Sequence, residues 1–382
     1  MKVAVLGGGP AGAFAAERLA GFGVETLLFD EKLAWEKPCG GGLTFKAYSQ
    51  YPFLKDGMTV KKSITESVLA APDCPPTTLQ LDRPILIYSR YDLNSMLLTR
   101  AESAGAEVIQ TRVLSAKRTQ SQWHLQTKAG GFNADFCIVA TGARNPLRDF
   151  GTALKPADAM LALGYYVTGD RDRIDLQFLS GLEGYIWVFP RHGHMSVGIC
   201  GKGEPAASLK QRLHQYMNLH GLSYSPQTFY SHLLPALDTP AWSTNRVAGD
   251  GWIAVGDAAG LVDPITGEGL YYALRSAELA AGAVLQNEPD FAYRHSLRTE
   301  ITEDLEYASR LAGLVFRGTL LRGSIPRRMV QFTNLSPTFR AVIQDLFAGT
   351  QPYRSLKLRL LKQRNSIARE LVWNFVLKGF TS

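Results

Sequence analysis

Six residues near the start of the chain have the spacing of a phosphate-binding turn. Gly7-Gly8-Gly9-Pro10-Ala11-Gly12 is a GxGxxG pattern between an apolar run, Lys2–Leu6, and a helical pattern over residues 11–22. In this context Gly7 permits a tight turn, Gly9 lets the backbone approach a pyrophosphate, and Gly12 allows the helix to pack closely. The residues predicted to hold the phosphates of a dinucleotide are Gly7, Gly9, Pro10, Ala11 and Gly12.

A carboxylate follows this turn at the distance expected for ribose recognition. A second strand is predicted over residues 24–30 and ends in Asp30, about twenty residues beyond the turn, where a carboxylate can accept hydrogen bonds from ribose hydroxyls. Glu31 is the competing choice, one residue further on. These features alone do not distinguish FAD from NAD.

A second glycine-rich segment favours FAD. Gly256-Asp257-Ala258-Ala259-Gly260 follows a predicted strand, and a helix is predicted to begin near Gly269. An aspartate at a strand end can hold the ribityl or pyrophosphate part of an extended cofactor. The positive end of the helix suits the flavin edge that gains negative charge on reduction. The predicted cofactor residues in this segment are Gly256, Asp257, Pro264, Gly267 and Gly269.

The elements that must position these residues alternate between two patterns. A β-α-β unit opens the chain, and further buried strands occur near residues 136–142 and 252–255, whereas segments near 59–88 and 161–200 alternate in the manner of antiparallel strands. The predicted fold class is therefore α/β, with a Rossmann-like FAD-binding domain interleaved with an antiparallel-sheet substrate domain and a helical C-terminal region. The FAD-binding segments are predicted at 1–58, 89–152 and 246–302, the substrate-domain segments at 59–88 and 153–245, and the helical region at 303–382.

Composition argues against several classes of protein. The four cysteines are far apart, which argues against a disulfide framework and against a metal site, so no metal is predicted. The chain has no apolar run long enough to span a bilayer, and Lys2–Leu6 is too short for a signal-peptide core. No nucleic-acid motif accompanies the net charge of +7. A cytoplasmic protein is expected.

The end of the chain combines basic charge with helical apolar spacing. Between Arg354 and Lys378 most of the charges are basic, and Glu370 is the one acid. The apolar residues that recur at helical spacing are Leu356, Leu360, Ile367, Leu371 and Phe375. Such a helix could rest on an anionic bilayer as a peripheral contact, or it could pack its apolar stripe on the body of the protein.

Together these motifs resemble the flavoprotein superfamily of aromatic hydroxylases, halogenases and geranylgeranyl reductases, and two further segments resemble the geranylgeranyl reductases in particular. Lys37-Pro38-Cys39-Gly40-Gly41-Gly42-Leu43 resembles that family's cysteine-glycine loop beside the flavin. Gly184-Tyr185-Ile186-Trp187-Val188-Phe189-Pro190 resembles its YxWxFP strand, which lines the prenyl cavity. The resemblance covers about the first 300 residues. It implies the fold and the domain arrangement of the aromatic hydroxylases.

The resemblance also assigns roles to single residues. It implies that Gly41 lies beside the flavin, that Arg90 contacts the FAD phosphates, and that Val113 meets the adenine through its backbone. Thr141-Gly142 marks the turn near the cofactor. Flavin hydroxylases of this superfamily usually carry Asp-Gly there, a pair tied to their use of NADPH, so its absence disfavours a monooxygenase and leaves the electron donor, NAD(P)H or ferredoxin, open.

The predicted function is reduction of carbon–carbon double bonds in a geranylgeranyl-type chain, on a prenyl lipid or a prenyl diphosphate. Tyr185 and Trp187 would form an aromatic wall for the apolar chain, because alternate strand residues share a face. Cys39 would be a proton donor or a substrate contact, since a thiol is protonated at neutral pH. The alternatives are an FAD-dependent monooxygenase of an aromatic or polyketide substrate and a flavin-binding lipid sensor without turnover.

Overall fold

The computed structural model describes residues 1–119, 122–147 and 149–379, without the side chains of 375–379. The chain forms two compact units, each built from three segments. Unit 1 comprises Met1–Lys37, Ser89–Ala159 and Leu233–Glu306. Unit 2 comprises Pro38–Tyr88, Met160–His232 and the C-terminal segment from Tyr307. Both units are therefore discontinuous in sequence.

The strands are numbered in chain order. They are β1 Lys2–Leu6, β2 Glu25–Phe29, β3 Gly42–Leu43, β4 Lys61–Ala70, β5 Thr77–Tyr88, β6 Glu107–Ile109, β7 Val113–Thr119, β8 Gln122–Thr127, β9 Gly130–Ala134, β10 Phe136–Val139, β11 Ala159–Thr168, β12 Ile174–Phe178, β13 Gly184–Pro190, β14 His194–Lys202, β15 Phe229–Pro235, β16 Ala248–Gly249, β17 Trp252–Ala254, β18 Thr319–Leu320 and β19 Gly323–Ser324.

The α-helices are numbered in the same way. They are α1 Pro10–Gly21, α2 Phe45–Gln50, α3 Arg90–Ser103, α4 Ala206–Leu219, α5 Thr239–Thr244, α6 Leu270–Val284, α7 Pro289–Leu297, α8 Glu303–Arg317, α9 Ile325–Leu335, α10 Pro337–Phe347 and α11 Tyr353–Gly379. Among the described residues, no helix is both long enough and apolar enough to cross a membrane.

Unit 1 is built on a sheet of order β16-β17-β10-β1-β2-β6. All neighbours pair in parallel except β16 and β17. The central strands are almost continuously apolar and buried, as expected of a parallel sheet covered on both faces. Because parallel strands end at the same edge, the turns that follow β1, β2, β10 and β17 lie together at the carboxyl edge of this sheet.

Unit 2 is built on a sheet of order β15-β11-β14-β13-β12-β4-β5-β3. Most described neighbours pair antiparallel, but β4 and β12 pair in parallel, so the sheet is mixed rather than purely antiparallel. Strand β13 buries alternate residues completely: Ile186 and Val188 pack in a core with residues of α4. The intervening residues of β13 therefore face the other side of the sheet.

Helices from the C-terminal segment cover that other side of the sheet. Val330 of α9 and Ile343 of α10 are buried in one apolar cluster with Ile64 and Leu79 of β4 and β5. Thr77 Oγ1 donates a hydrogen bond to the carbonyl of Val330 at 3.2 Å. The helical C-terminal region is thus part of the core of unit 2. The architecture confirms the predicted α/β class with an interleaved second domain and a helical end.

The unit boundaries differ from the predicted segments in several places, and residues 303–306, predicted in the helical region, belong to unit 1. Residues 38–58 belong to unit 2, because β3 pairs with β5. Residues 153–159 and 233–245 belong to unit 1. The C-terminal helices join unit 2 rather than forming a separate region, because their apolar faces complete its core.

Polar contacts fix how α11 is rotated on unit 2. The carboxylate of Glu370 accepts hydrogen bonds from the hydroxyls of Ser336 and Thr338 and from the Thr338 N–H, at the start of α10. Asn374 donates to the carbonyl of Leu335 at 2.8 Å. Arg359 binds Asp345 at 2.8 Å.

These contacts turn the predicted apolar stripe inward. Leu356, Leu360, Ile367 and Leu371 are half-buried, and α11 packs against α9 and α10. Of the two interpretations of this stripe, packing on the protein is therefore the one that the structure shows. Phe375 and Lys378 lie outside the residues whose side chains are described.

Replacement of Glu370 by glutamine should weaken the attachment of α11 in a pH-dependent way. Desolvation raises the pKa of Glu370, but the hydrogen bonds from Ser336 and Thr338 outweigh it and hold the pKa below its usual range. The carboxylate thus contributes stability that is complete above its unfolded-state pKa, about 4.3, and is lost as the pH falls through the lower folded-state pKa. At pH 7 we expect E370Q to lower the free energy of unfolding of unit 2 by about 1 kcal/mol, measured by thermal unfolding.

The control for this variant is Glu25→Gln, which removes one carboxylate of a surface ion pair with Lys2. That change should be nearly neutral, because exposed pairs contribute little. The difference between E370Q and the parent should disappear in acid. A difference that stays constant down to strongly acidic pH would contradict this role of the carboxylate.

Candidate functional site

The glycine-rich turn after β1 is shaped by close backbone contacts. Gly7 has a φ of +114°, and a Cβ there would lie 2.4 Å from the Ala140 carbonyl oxygen. A Cβ at Gly12 would lie 1.8 Å from the Gly7 carbonyl oxygen. A Cβ at Gly9, by contrast, would meet no atom within 4 Å. The motif therefore needs two glycines for its own packing, while the third leaves open space where a phosphate can approach.

Helix α1 begins within this turn. Gly9 is its N-cap and Pro10 its first residue, so the N–H groups of the first turn lack partners within the helix and carry its positive dipole end. Ala11 lies under the second glycine-rich segment, since a Cβ at Gly256 would be 3.0 Å from the Ala11 Cβ. The geometry suits an anionic pyrophosphate.

Asp30 accepts a hydrogen bond from the glycine-rich turn, whereas Glu31 lies beside basic side chains. The Asp30 carboxylate accepts hydrogen bonds from the Gly8 N–H at 2.7 Å and from two N–H groups just beyond its own strand. Glu31 forms an ion pair with Lys128, and its carboxylate lies 3.7 Å from Arg112. The hydrogen bond from Lys128 lowers the pKa of Glu31. Of the two candidates, Asp30 is the one placed at the nucleotide turn, and its contact with a ribose stays a prediction.

Arg90 is a buried cation with an unsatisfied donor. Its side chain is 3% exposed at the start of α3, and its Nη2 donates to Asn94 Oδ1 at 3.2 Å. Its Nε has no hydrogen-bond partner among the described residues. Because a buried charged donor without a partner is costly, the site suits an anionic ligand group. This orphaned atom is the clearest indication in unit 1 that the residues present fit the phosphates of FAD.

Two further segments of unit 1 contain predicted cofactor residues. The turn after β10 is held by Thr141, whose Oγ1 donates to Asn145 Oδ1 at 2.7 Å, and Gly142 follows with a φ of +78° and open space at its Cβ position. Val113 begins β7, shortly after β6 ends, and its side chain is buried. Its backbone role toward an adenine is not tested by these contacts and stays a prediction.

The second glycine-rich segment is a folded turn leading into α6. Gly256 has a φ of +58°, and its N–H donates to Ser276 Oγ at 3.0 Å. Asp257 lies 3.5 Å from the Lys37 ammonium and is mostly buried.

The loop between this turn and α6 is organised by Asp263. One carboxylate oxygen accepts the N–H groups of Ile265 and Thr266, at 2.8 and 3.1 Å, around the buried Pro264. Gly267, with a φ of +71°, donates to the Asp263 carbonyl. Gly269 is the N-cap of α6, a helix of fifteen residues. The positive end of the helix dipole therefore lies at this loop.

The cysteine-glycine loop in unit 2 is held by its backbone. Gly41 has a φ of +84°, and a Cβ there would lie 2.1 Å from the Tyr88 carbonyl oxygen, so only glycine fits. Its N–H donates to Cys39 Sγ at 3.3 Å. Cβ atoms built on Gly40 or Gly42 would each lie 3.2 Å from the ring of Phe189. The loop is thus packed directly on the aromatic strand β13.

A serine hydroxyl joins this loop to the strand. Ser196 Oγ lies 3.1 Å from the Cys39 carbonyl oxygen, 3.3 Å from Trp187 Nε1 and 2.7 Å from the Tyr230 hydroxyl. A carbonyl can only accept and an indole N–H can only donate, so Ser196 donates to Cys39 and Tyr230 must donate to Ser196. Burial raises the pKa of Tyr230, which keeps the phenol neutral and able to donate.

Arg191 supplies a second donor to the same carbonyl. The side chain of Arg191 is fully buried, and its Nη2 donates to the Cys39 carbonyl oxygen. The guanidinium lies 5.2 Å from the ring centre of Tyr166. The Cys39 carbonyl is therefore held by two buried donors.

The aromatic residues of β13 share one face, as predicted. The ring centres of Tyr185 and Trp187 are 6.3 Å apart, and Phe178 of the neighbouring strand lies 6.4 Å from Tyr185. Gly198 makes room for the Trp187 ring, because a Cβ there would lie 2.3 Å from it. The face on which Cys39 is anchored is thus apolar and aromatic.

Comparison with known proteins supports the assignment of these motifs. Residues 1–157 match the family model for pyridine nucleotide-disulphide oxidoreductases. The chloroplastic geranylgeranyl diphosphate reductase of rice is 30% identical over 75% of this chain and 66% of its own length. The digeranylgeranylglycerophospholipid reductase of Methanosarcina mazei is 27% identical over 74% of this chain and 75% of its own length.

The chain belongs to the geranylgeranyl reductase family. It is an FAD-dependent oxidoreductase, as predicted. A geranylgeranyl bacteriochlorophyll reductase-like protein of Thermoplasma acidophilum has the same fold, with a TM-score of 0.77, 22% identity, and coverage of 94% of this chain and 98% of that chain. The chain spans about two thirds of the length of the rice reductase.

Several residues of the candidate site were not found by sequence reasoning. In unit 2 they are Ser196, Tyr230, Arg191 and Tyr166, and in unit 1 they are Asn94, Lys37 and Asp263. Asp263 had a local signal, because Asp-Pro-x-Thr-Gly has the composition of an Asx-type turn. Asn94 is one helical turn from Arg90 and carries no motif of its own, and the others have contacts that are distant in sequence.

Replacement of Arg90 by methionine should weaken FAD binding by the reductase by about tenfold to a hundredfold, the loss expected for a hydrogen bond to a charged group. The protein without FAD should change little in stability, because the variant removes the buried Nε donor that has no partner as well as the one hydrogen bond to Asn94. Bound flavin after dialysis and the unfolding midpoint measure the two effects. Arg294→Met, at an exposed arginine of unit 1, is the control. Unchanged FAD affinity in R90M would contradict the assignment.

Removal of the Ser196 hydroxyl should displace the cysteine loop and lower turnover by about tenfold, the effect of losing one hydrogen bond of about 1.4 kcal/mol. FAD content should be retained, since Ser196 belongs to unit 2. Tyr230→Phe should have a smaller effect, because Ser196 can still donate to Cys39. Ser67→Ala is the matched control: Ser67 is fully buried in the same sheet, and its hydroxyl has no partner among the described residues. Equal losses in S196A and S67A would show a general packing effect instead.

Proposed function

We propose that this reductase saturates carbon–carbon double bonds in a prenyl chain. The observation that carries the proposal is the anchoring of the Cys39 loop on the aromatic face of β13 by Ser196. A thiol beside an apolar, aromatic surface suits an extended isoprenoid. It suits a polar aromatic substrate less well.

Unit 1 would hold the cofactor. Its Gly7–Gly12 turn and Arg90 would bind the pyrophosphate, Asp30 the ribose, and Asp257 with the start of α6 the flavin side of the molecule. Reduced FAD, when bound, supplies two electrons and a proton as a hydride equivalent from N5.

Unit 2 would hold the prenyl chain. Tyr185, Trp187 and Phe178 give an apolar surface that can pack against methyl-branched segments without requiring hydrogen bonds. The rice and Methanosarcina mazei relatives are named for geranylgeranyl diphosphate and for a digeranylgeranyl glycerophospholipid, which share the prenyl chain and differ in the head group. The prenyl chain is accordingly the part of the substrate that we assign to this surface.

The reaction needs a hydride at one alkene carbon and a proton at the other. An isolated alkene is unpolarised, so catalysis must depend strongly on positioning. We assign the proton to Cys39, whose loop is fixed by the Gly41 N–H and whose carbonyl is held by Arg191 and Ser196. The alkene would gain two electrons and two protons, which reduced FAD and Cys39 would supply together, and the Cys39 thiolate would regain its proton from water. NAD(P)H or ferredoxin would then reduce FAD again.

An anaerobic turnover experiment tests the proposal. The purified reductase, reduced with dithionite, is mixed with geranylgeranyl diphosphate or a digeranylgeranyl glycerophospholipid while flavin absorbance is followed. We expect reoxidation without oxygen and a product heavier by two hydrogen atoms. Reoxidation that requires oxygen, with a product heavier by one oxygen atom, would support a monooxygenase. Flavin binding with no reoxidation by any prenyl compound would support a lipid sensor.

Replacement of Cys39 by alanine should lower the rate of alkene reduction by about a hundredfold or more, the usual contribution of a general acid, with little change in KM. Steady-state kinetics separate this outcome from that of a substrate contact, for which KM would rise and kcat would persist. Cys74→Ala, at a half-buried thiol of unit 2, is the control. An active C39A variant with unchanged kcat would overturn the assignment of the proton.

A further inference from the structure

Helix α11 carries a second set of apolar residues, on the side opposite the stripe that packs on unit 2. Leu358, Leu361, Val372 and Trp373 are 56%, 49%, 66% and 67% exposed. The helical repeat places them together, away from the half-buried Leu356, Leu360 and Ile367. Large exposed apolar side chains grouped on one side of a helix are unusual on a surface that faces only water.

The same side of the helix is basic. Its exposed cations are Lys357, Lys362, Arg364 and Arg369. The one acid in the sequence of α11 is Glu370, which is turned inward to the start of α10. The outward side therefore combines apolar groups with positive charge and no negative charge.

The rotation of α11 is set by contacts that do not involve this outward side. Arg359 binds Asp345 and Gln351, at 2.8 and 2.7 Å, Glu370 binds Ser336 and Thr338, and Asn374 binds the Leu335 carbonyl. Because these anchors lie near both ends of the described helix, the exposed residues cannot turn inward without breaking them. The exposed apolar and basic residues therefore stay on the outward side of α11.

We propose that the outward face of α11 docks on an anionic lipid bilayer. Leu358, Leu361, Val372 and Trp373 would enter the boundary between head groups and acyl chains, where tryptophan is favoured, and the lysines and arginines would contact lipid phosphates. Charge complementarity selects this partner: each cation near an anionic membrane surface strengthens binding roughly fivefold. The inference is independent of the reaction that the protein catalyses.

Co-sedimentation of the full chain with vesicles tests this docking. We expect binding to phosphatidylcholine vesicles that contain phosphatidylglycerol, weak binding to phosphatidylcholine alone, and loss of binding in high salt. Lys362→Glu combined with Arg369→Glu should reduce binding at least about tenfold. Leu361→Ser combined with Trp373→Ser should reduce it without removing charge. Leu219→Ser, at an 83% exposed leucine of α4, should bind like the parent.

Each variant is also checked for FAD content and unfolding midpoint, both of which should equal those of the parent. Three outcomes would overturn the proposal. The first is absence of binding to anionic vesicles, and the second is an equal loss in L219S. The third is a parent protein that is dimeric in solution and becomes monomeric in L361S/W373S, which would show that a second copy covers this face.

Discussion

The hydroxyl of Ser196 is the interaction on which the proposed substrate site depends. It donates to the Cys39 carbonyl and accepts from Trp187 and Tyr230, which fills its hydrogen-bonding capacity. All of these groups are wholly or partly buried, so loss of the Ser196 hydroxyl removes the acceptor of the Trp187 and Tyr230 donors, whereas the Cys39 carbonyl keeps its bond from Arg191. A single atom thus couples the position of the cysteine loop to that of the aromatic wall. Arg191 and the positive φ of Gly41 then fix the loop further.

In unit 1 the candidate site is shaped mainly by close backbone contacts, whereas in unit 2 it is shaped mainly by side-chain hydrogen bonds. Its turns follow parallel strands and meet at one edge of the sheet, where close approaches such as Gly12 to Gly7 leave no room for side chains. Two helices, α1 and α6, begin there with glycine N-caps, so the positive ends of their dipoles lie at this edge. Arg90 adds a buried positive charge. Such a site suits an anionic ligand, and we propose that the pyrophosphate of FAD is that ligand.

Sequence reasoning was most successful where the signal is local. The GxGxxG turn, the strands beside it, Gly256-Asp257 and the alternation of Tyr185 and Trp187 can all be read within a few residues, and the structure places them as expected. The Ser196 contacts could not be read, because Ser196 is 157 positions from Cys39 and its partner Tyr230 is 34 positions further on. A lone serine in a strand has no pattern that indicates such partners.

The C-terminal helices illustrate the same limit. Their helical character follows from periodicity, but their place over β4 and β5 depends on tertiary contacts of Val330 and Ile343. The amphipathic stripe of α11 was recognised, whereas the second apolar set on its outer side became apparent only when exposure was known. Periodicity identifies which residues share a face. It does not determine which face is covered.

We propose that this flavoprotein reduces an isolated alkene of a prenyl chain. The most direct measurement is a single anaerobic turnover in deuterated water, with the product analysed by NMR. We expect two deuterium atoms on adjacent carbons of one former double bond, with the other double bonds of the chain unchanged after that turnover. A product that carries oxygen, or a chain recovered with every double bond intact while flavin is reoxidised, would contradict it.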